Sequence, residues 1–583
     1  MRVRSLAVSA AILGMAMMAA PPLAGATASL ITNGSTPSPF SQNKQNEPGL
    51  AVDEAHPQYV AAGSNEELDL EACNAGDPTT CPFTAGVGAS GVYLSSEGGT
   101  TFTQPAYTGY TARGCLGPEP CQPQVGPIGT LPGYYEQGLV SEGDPQLAFG
   151  PEPDGHGGFS YAGGSRLYYA NLAANFATER NEQSFKGFEA IAVSRLDTQQ
   201  WAAAKAGSNS AWKAPVIVSK QNAALFSDKD AVWADNAQSS PHFGNAYVCN
   251  TSFRGQAKGK GEPEPILFYR STDGGSTWSN PVQLTSATGN AQNPGRQSCT
   301  IRTDSKGVVY VYYSGFDHST GQSTVMQVRS FDGGRTFERP SIVAPVVECG
   351  LPDPNTGTVS FDGAAGARTD SFPSVDIANG APSGGDATNE IVLSYCEGPT
   401  PSDLQPGPNE RAVVRYSTNG GNSFTAAGSA SVPSDRPDFP AIAISPNGTD
   451  VYETYTSFMQ PWQSSALTPA RLAQGVVRHA AIDAGGALGT FEDRYRGPSG
   501  DSRGSSQNDL TAGFLGDYSY MVATRSVGIA AFNDVRNAAD CPAVDAYRQK
   551  LLEGATPNPA PAPNSECPAN FGNTDIYGGP FTP

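Results

Sequence analysis

The chain has 583 residues, 35 of them basic and 55 acidic, for a net charge of −20 at neutral pH; that sign disfavours a nucleic-acid binder working through phosphate neutralisation. Its 67 Gly and 48 Pro interrupt helices every few residues and exclude a helical architecture. The 38% hydrophobic content, with aromatics at 9%, excludes disorder throughout and leaves a large β protein as the expectation.

At the N-terminus, Arg2 and Arg4 precede an apolar run over 6–20, and Ala26-Thr27-Ala28 fits a small-residue cleavage site. The segment 1–28 is expected to be a secretory signal peptide removed before Ser29. No later run reaches the roughly 18 apolar residues of a membrane helix. The expectation is therefore a secreted, extracellular monomer without membrane attachment after cleavage; an uncleaved anchor is the alternative. Ten cysteines suit that route, since an even count in an exported chain points to disulfides. Sequence order suggests the pairs Cys73–Cys81, Cys115–Cys121, Cys249–Cys299, Cys349–Cys396 and Cys541–Cys567. Their spacings match no zinc set and the five histidines are scattered, so no Cys/His metal site is expected.

A short motif recurs along the chain. Ser271-Thr272-Asp273-Gly274-Gly275-Ser276-Thr277-Trp278 and Ser330-Phe331-Asp332-Gly333-Gly334-Arg335-Thr336-Phe337 are regular copies. Ser95-Ser96-Glu97-Gly98-Gly99-Thr100-Thr101-Phe102 and Ser417-Thr418-Asn419-Gly420-Gly421-Asn422-Ser423-Phe424 are looser ones. In each, a short acceptor side chain can bond turn amides and two glycines supply the positive φ of a tight hairpin. The aromatic residue that follows is placed to pack inward. Glu97 is a poorer capper than Asp, so the first copy is expected to be less regular.

These copies resemble the Asp-box (BNR) repeat of the sialidase-like β-propellers. The resemblance implies an all-β ring of four-stranded antiparallel blades. It also implies a structural role for Glu97, Asp273, Asp332 and Asn419, on peripheral hairpins remote from the site. A larger unit, an inner strand followed by a strand of the Tyr-Val-Ala type, recurs seven times. Repeats two and six carry degraded boxes. The seventh ends one strand short, and the segment around 29–32 is placed to supply that strand and close the ring. The reading is one seven-bladed propeller domain over 29–583. Six blades with an extra hairpin, as in the well-studied sialidases, is the alternative.

Turns between first and second strands are mostly short, whereas the connections 65–90, 104–141, 166–185, 397–408, 459–472 and 537–570 are long. Long, disulfide-tied loops on one face are where binding resides. The same face should hold the starts of the inner strands. Aligning the repeats there gives Glu47, Asp144, Asp230, Ser298, Phe372, Phe439 and Asp517, with Arg296, Asp370, Arg436 and Asp438 close by and Tyr518 next to the last acid. An acidic arc facing an aromatic and arginine arc suits a sugar, because carboxylates accept hydroxyl hydrogen bonds and aromatic faces pack on sugar C–H surfaces. Glu47, Asp144, Asp230 and Asp517 are thus the candidate catalytic acids, and Arg296, Asp370, Phe372, Arg436, Asp438, Phe439 and Tyr518 the candidate substrate contacts. The plainer reading is that each acid caps its own strand.

True sialidases clamp a carboxylate with three arginines, the first in an Arg-Ile-Pro-like motif on the first blade. Here Asn46-Glu47-Pro48 stands in that place, and no Arg lies between Arg4 and Arg113. The resemblance therefore carries architecture rather than sialidase chemistry. Three functions remain open: a secreted protein that binds or hydrolyses a carbohydrate or glycoconjugate, a non-catalytic scaffold binding proteins through its long loops, and a lyase using channel-bound calcium. No cofactor is expected unless the converging acids hold calcium.

Overall fold

The computed structural model describes residues 27–583 except 33, 78, 178, 180, 318 and 365 and the segments 220–224, 255–263, 287–296, 353–358, 361–363, 399–409 and 461–469. The expected leader up to residue 26, Arg296 and most of the 397–408 and 459–472 connections lie outside the described residues.

Each repeat opens with a strand rich in small and branched residues that is covered on both faces. Gln45–Val52 and Pro437–Ile444 are buried at every position. Further strands step outward by antiparallel pairing. Blade 3 shows the pattern in Leu225–Ala234, Ala246–Arg254, Ile266–Ser271 and Val282–Gln283. In blade 1 the outermost position is held by the single bridge Leu94–Thr103. Blade 7 is built from Tyr520–Ala523, Gly528–Asp534 and Asp575–Phe581, and the N-terminus adds its outermost strand: Ser29 pairs with Gly578 and Leu30 with Tyr577. One apolar layer lies between every neighbouring pair of blades, the seventh and first included. All seven repeats thus form a sheet of their own. The six-bladed alternative fails because even repeats two and six, with degraded boxes, keep a full set of ladder partners.

The box motifs are hydrogen-bonded hairpins. In the copy at 271–278, the Ser271 hydroxyl bonds Asp273 Oδ1 at 2.8 Å and accepts the Gly275 amide at 2.8 Å; Asp273 accepts the Thr277 amide at 2.9 Å and its hydroxyl at 2.6 Å. The pattern repeats at Asp332, and at Asn419 with the hydroxyl bond reversed, its Nδ2 donating to Ser423 Oγ at 2.8 Å. Gly274 and Gly275 have φ of 69° and 80°, where a side chain would be strained. Glu97 reaches the Thr101 hydroxyl at 2.6 Å, with its longer side chain displaced from the amide that Asp273 and Asp332 accept. The hairpins also join blades. Arg166 donates to the Gly274 carbonyl at 2.8 Å and Arg329 to the Gly420 carbonyl at 2.7 Å, and Phe337 packs into the layer between blades 3 and 4.

The two ends of the ring differ. Gln45 pairs with Glu66, after which the 67–89 connection departs, so inner-strand starts and long loops share one end. Ser271 pairs with Ala246 near the first–second turn, so the boxes lie at the other. The five disulfides join Cys73–Cys81, Cys115–Cys121, Cys249–Cys299, Cys349–Cys396 and Cys541–Cys567, as befits a chain that matures in an oxidising environment. One expectation needs correction. The 166–185 stretch is not all connection, because the strand Phe159–Asn175 runs through it. Among the first–second turns, that of blade 5 is long. The 378–390 turn of blade 5 reaches blades 3, 4 and 7 through Asn379 to Asn236 (2.8 Å), Asn389 to Ser305 (2.8 Å) and Asp386 to Arg525 (2.8 Å), and so spans the box end of the channel.

Candidate functional site

Near the start of five inner strands the ladder register shifts, at Asn46/Gly49, Gly143/Gln146, Asp228/Ala231, Gln297/Thr300 and Asp438/Ala441. The residue at each shift is left-handed: Glu47 (φ 54°), Asp144 (51°), Lys229 (51°), Ser298 (58°) and Phe439 (52°). A bulge with φ > 0 at a non-glycine residue is uncommon, and it re-aims the side chain. Here it gathers polar side chains from successive blades at one end of the channel. The column read from sequence was off by one in blade 3. Its bulge residue is Lys229, and Asp230 sits one step further along the strand. The acidic arc is therefore interrupted by a cation, because three buried carboxylates from blades 7, 1 and 2 need a countercharge.

Lys229 Nζ bonds Asp517 Oδ2 and lies 3.8 Å from Asp144 Oδ2. Arg368, from the segment before blade 5, forks Asp517 with Nε to Oδ1 at 2.8 Å and Nη2 to Oδ2 at 2.9 Å, stacks on the Phe514 ring, and comes within 3.9 Å of Glu47 Oε1. Asn65 donates to Glu47 Oε2 at 2.5 Å and accepts the Asp144 amide at 2.8 Å. The close approach of blade 7 to blade 1 requires Gly516 (φ 81°), where a Cβ would stand 2.9 Å from the Glu47 nitrogen.

The carboxyl groups divide by environment. Burial, reinforced by the charges of Asp144 and Asp517 and a hydrogen bond with Asp144, pushes Glu47 well above the usual carboxylate range. Burial would raise Asp144 too, but the Lys229 ammonium and hydrogen bonds from Glu47 and Asp228 outweigh it and hold Asp144 low. Burial, opposed by Lys229 and abetted by Asp144, brings Asp228 up to about 7. Carboxyls from three successive blades thus stand together, Asp144 held low between the raised Glu47 and Asp228. Asp517 is held far down because Lys229 and Arg368 outweigh its burial. Burial and the charges of Asp144 and Asp228 raise Asp230 well above its usual range, and neither of its oxygens has a partner outside its own residue among the described residues. The buried Tyr518 hydroxyl is also without a hydrogen-bond partner among the described residues.

Lys229, Asp230, Asp517 and Tyr518 line a cavity of about 80 Å³, with Ser298, Asp370, Phe372 and Phe439 on the opposing wall. Burial, aided by Asp517 and Glu348, lifts Asp370 up to about 8. Its floor is Arg302, whose Nε donates to Asp376 Oδ1 at 3.1 Å while the guanidinium stacks 4.5 Å from the Trp233 ring. Arg302, Tyr520 and Met521 also line a second cavity toward the box end, so they partition the channel.

Of the residues singled out from sequence, Glu47, Asp144 and Asp517 converge through their cations and Asp230, Asp370, Phe372, Phe439 and Tyr518 line the cavity. Asp438 instead accepts the Thr369 hydroxyl at 2.6 Å and the Phe439 amide at 2.9 Å. Arg436 donates to the Ser434 carbonyl at 3.1 Å, away from the lining. Sequence reasoning missed Lys229, Asp228 and Arg368. The charged run Asp228-Lys229-Asp230 inside an otherwise apolar strand was a usable signal for the first two. Among the described residues the group at metal-ligand spacing is Cys349, Cys396 and Asp438, but the two sulfurs are bonded to each other and offer no thiolate. Among the described residues the carboxylates of the channel mouth form no group at such spacing.

No family model and no curated protein matches the sequence. Solved structures that resemble it in fold include a leech intramolecular trans-sialidase complexed with 2,7-anhydro-Neu5Ac (12% identity, 80% of this chain and 70% of that one, TM-score 0.39). They also include a Penicillium chrysogenum α-L-arabinanase complexed with arabinobiose (12%, 75% and 92%, 0.38). A third is an α-L-arabinofuranosidase from Fusarium graminearum with an iminosugar inhibitor (11%, 78% and 96%, 0.36). At these identities the likeness is one of fold.

Proposed function

We propose that the protein is a secreted glycan-active propeller that takes a glycan end into the loop-side cavity and hydrolyses the glycosidic bond there. The observation that carries this reading is Asp230: a buried carboxylic acid, unpartnered, facing the cavity beside the ionised Asp144. Glycoside hydrolysis needs a proton donor for the leaving oxygen and a second carboxylate as base or nucleophile, and carboxyls whose environments push their pKa values apart mark such roles. Asp230 is the proton donor in this reading. Asp144 is the ionised partner, held in that state by Glu47, Asp228 and Lys229. Asp517 is a poor base because both its oxygens are taken by cations, and it serves to fix Lys229 and Arg368. A channel partitioned by Arg302 and spanned at the box end by 378–390 admits a ligand from the loop side only, which favours a chain end over a chain middle.

The test is a glycan panel assayed for reducing-end release with wild type and Asp230→Asn. Turnover that survives the substitution on any cleaved glycan removes Asp230 from the role. No turnover on a broad panel, with retained glycan binding, reduces the reading to a lectin. A protein-binding scaffold is the second reading, favoured by Leu116 and Val125, which are 73% and 57% exposed on the disulfide-tied loop of 104–141. It predicts a partner lost when that loop is shortened and no glycan binding at all.

A further inference from the structure

Two cations line this cavity, Lys229 and Arg302, and both are spoken for; Arg368, outside the lining, holds Asp517 as well. Lys229 is shared by Asp517 and Asp144, Arg302 is bonded to Asp376, and Arg368 is forked onto Asp517. Lys229 and Arg368 are thus held by Asp517 and Arg302 by Asp376, each through hydrogen bonds, while Asp144 lies 3.8 Å from Lys229. The remaining acids on the wall, Asp230 and Asp370, offer hydroxyl and carbonyl oxygen rather than positive charge. A ligand carboxylate or sulfate entering here would find no free cation among the described residues. It would also have to leave water beside Asp144 and Asp517, and a buried anion without a partner is costly. Sugar hydroxyls, by contrast, can donate to the carboxylates and accept from protonated carboxyls and the Tyr518 hydroxyl.

From this we infer that the site selects uncharged sugars and rejects carboxylated or sulfated ones, and that Asp517 is the residue that sets this selectivity by occupying both Lys229 and Arg368. The inference deepens the proposed glycan reading and rests on it. Asp517 acts on selectivity through the two cations: with it neutralised, the Lys229 ammonium stands open on the cavity and the Arg368 guanidinium beside it loses its carboxylate, which leaves positive charge for a ligand carboxylate.

The experiment uses the full mature chain and matched oligosaccharides: galactose and galacturonic acid oligomers, which differ by oxidation at C6, and arabinan fragments with their sulfated counterparts. Binding is followed by calorimetry or ligand-observed NMR. Wild type is expected to bind a neutral member at least about tenfold more tightly than its acidic partner. Asp517→Asn is expected to narrow or reverse that ratio by about tenfold or more. A second measurement needs no variant: affinity of the neutral ligand should change less than about twofold between low and high salt, because no free charge on the protein captures it. Acidic sugars binding wild type as well as neutral ones, or steep salt dependence, overturn the inference and leave the glycan reading standing. A folded Asp517→Asn protein with unchanged selectivity also overturns it. Absence of binding to every sugar, charged or not, overturns the glycan reading and the inference with it.

Discussion

The two ends of this propeller use the same side chain in opposite ways. At the box end, Asp273 and Asp332 sit at the surface, and hydrogen bonds from Thr, Ser and backbone donors outweigh what burial they have, so their pKa values fall. At the loop end, Glu47, Asp230 and Asp370 are buried among other carboxyls, and their pKa values rise. The box carboxylates are each hydrogen-bonded at both oxygens within their own hairpin. The loop-end carboxyls come from separate blades, are satisfied in part, and leave Asp230 bare. Partial satisfaction of a buried polar group is costly, and a fold retains it where the group faces a cavity that a ligand can fill. The repeat thus supplies a stiff end and a chemically poised end from one strand pattern.

The comparison breaks most directly on activity. Asp230→Asn should lower turnover of a cleaved glycan by about 10²- to 10⁴-fold, the usual worth of a general acid, while Asp332→Asn at the box end leaves turnover unchanged. Equal effects at the two ends would erase the distinction. Stability gives the second contrast. Lys229→Met strands Asp144 and Asp517 in a buried site and should cost about 3–5 kcal/mol. Asp332→Ala loses bonds to water-accessible donors and should cost about 1–2 kcal/mol. Denaturant midpoints of the two variants measure the gap.

The pH dependence of melting sharpens it further. Glu47, Asp230, Asp370 (about 8) and Asp228 (about 7) keep protons in the native state that an unfolded chain releases near pH 4. Their folded pKa values are raised, so the stability they contribute is complete below about pH 4 and is lost as pH climbs through 7 and 8. Asp273 and Asp332 are lowered, so their contribution is present above about pH 4 and is lost as pH falls beneath it. Asp144 and Asp517 add to that acid limb. Melting temperature should therefore peak in mildly acidic buffer. Asp228→Asn should flatten the alkaline limb, and Asp332→Asn a part of the acid limb. A profile that rises steadily to pH 9 would contradict the assignment of protonated carboxyls to the loop end.

How much of this was legible in the chain follows from what repeats. The blades were, because inner strand, Tyr-Val-Ala strand and box recur, and because local hairpin chemistry at Asp273 and Asp332 is written in eight consecutive residues. The closing pair Ser29–Gly578 was legible too, from a seventh repeat one strand short. The site was legible only as a neighbourhood. Its alignment slips at Asp228-Lys229-Asp230, since the left-handed bulge residue has no sequence signature of its own and the Pro that follows it at Glu47, Asp144 and Phe439 is missing after Lys229. Arg368 was out of reach, because it arrives from a non-repeating connection and meets Asp517, 149 residues later, only across the ring.

The smallest effect tests whether the box end obeys local geometry alone. Glu97 accepts the Thr101 hydroxyl at 2.6 Å, whereas Asp273 and Asp332 accept both the hydroxyl and the amide of the equivalent threonine. The extra methylene of Glu97 accounts for the difference: its carboxylate overshoots the turn. Gly98 and Gly99, with φ of 64° and 81°, already have the conformation of the regular copies. Glu97→Asp should therefore restore the amide bond without rearranging the chain and raise stability by about 0.5 kcal/mol. Glycan binding at the far end should not change. A melting temperature that falls instead would mean the first hairpin is set by its neighbours in blade 7, where Phe102 packs against Ile529 and Ala531, and not by the turn itself.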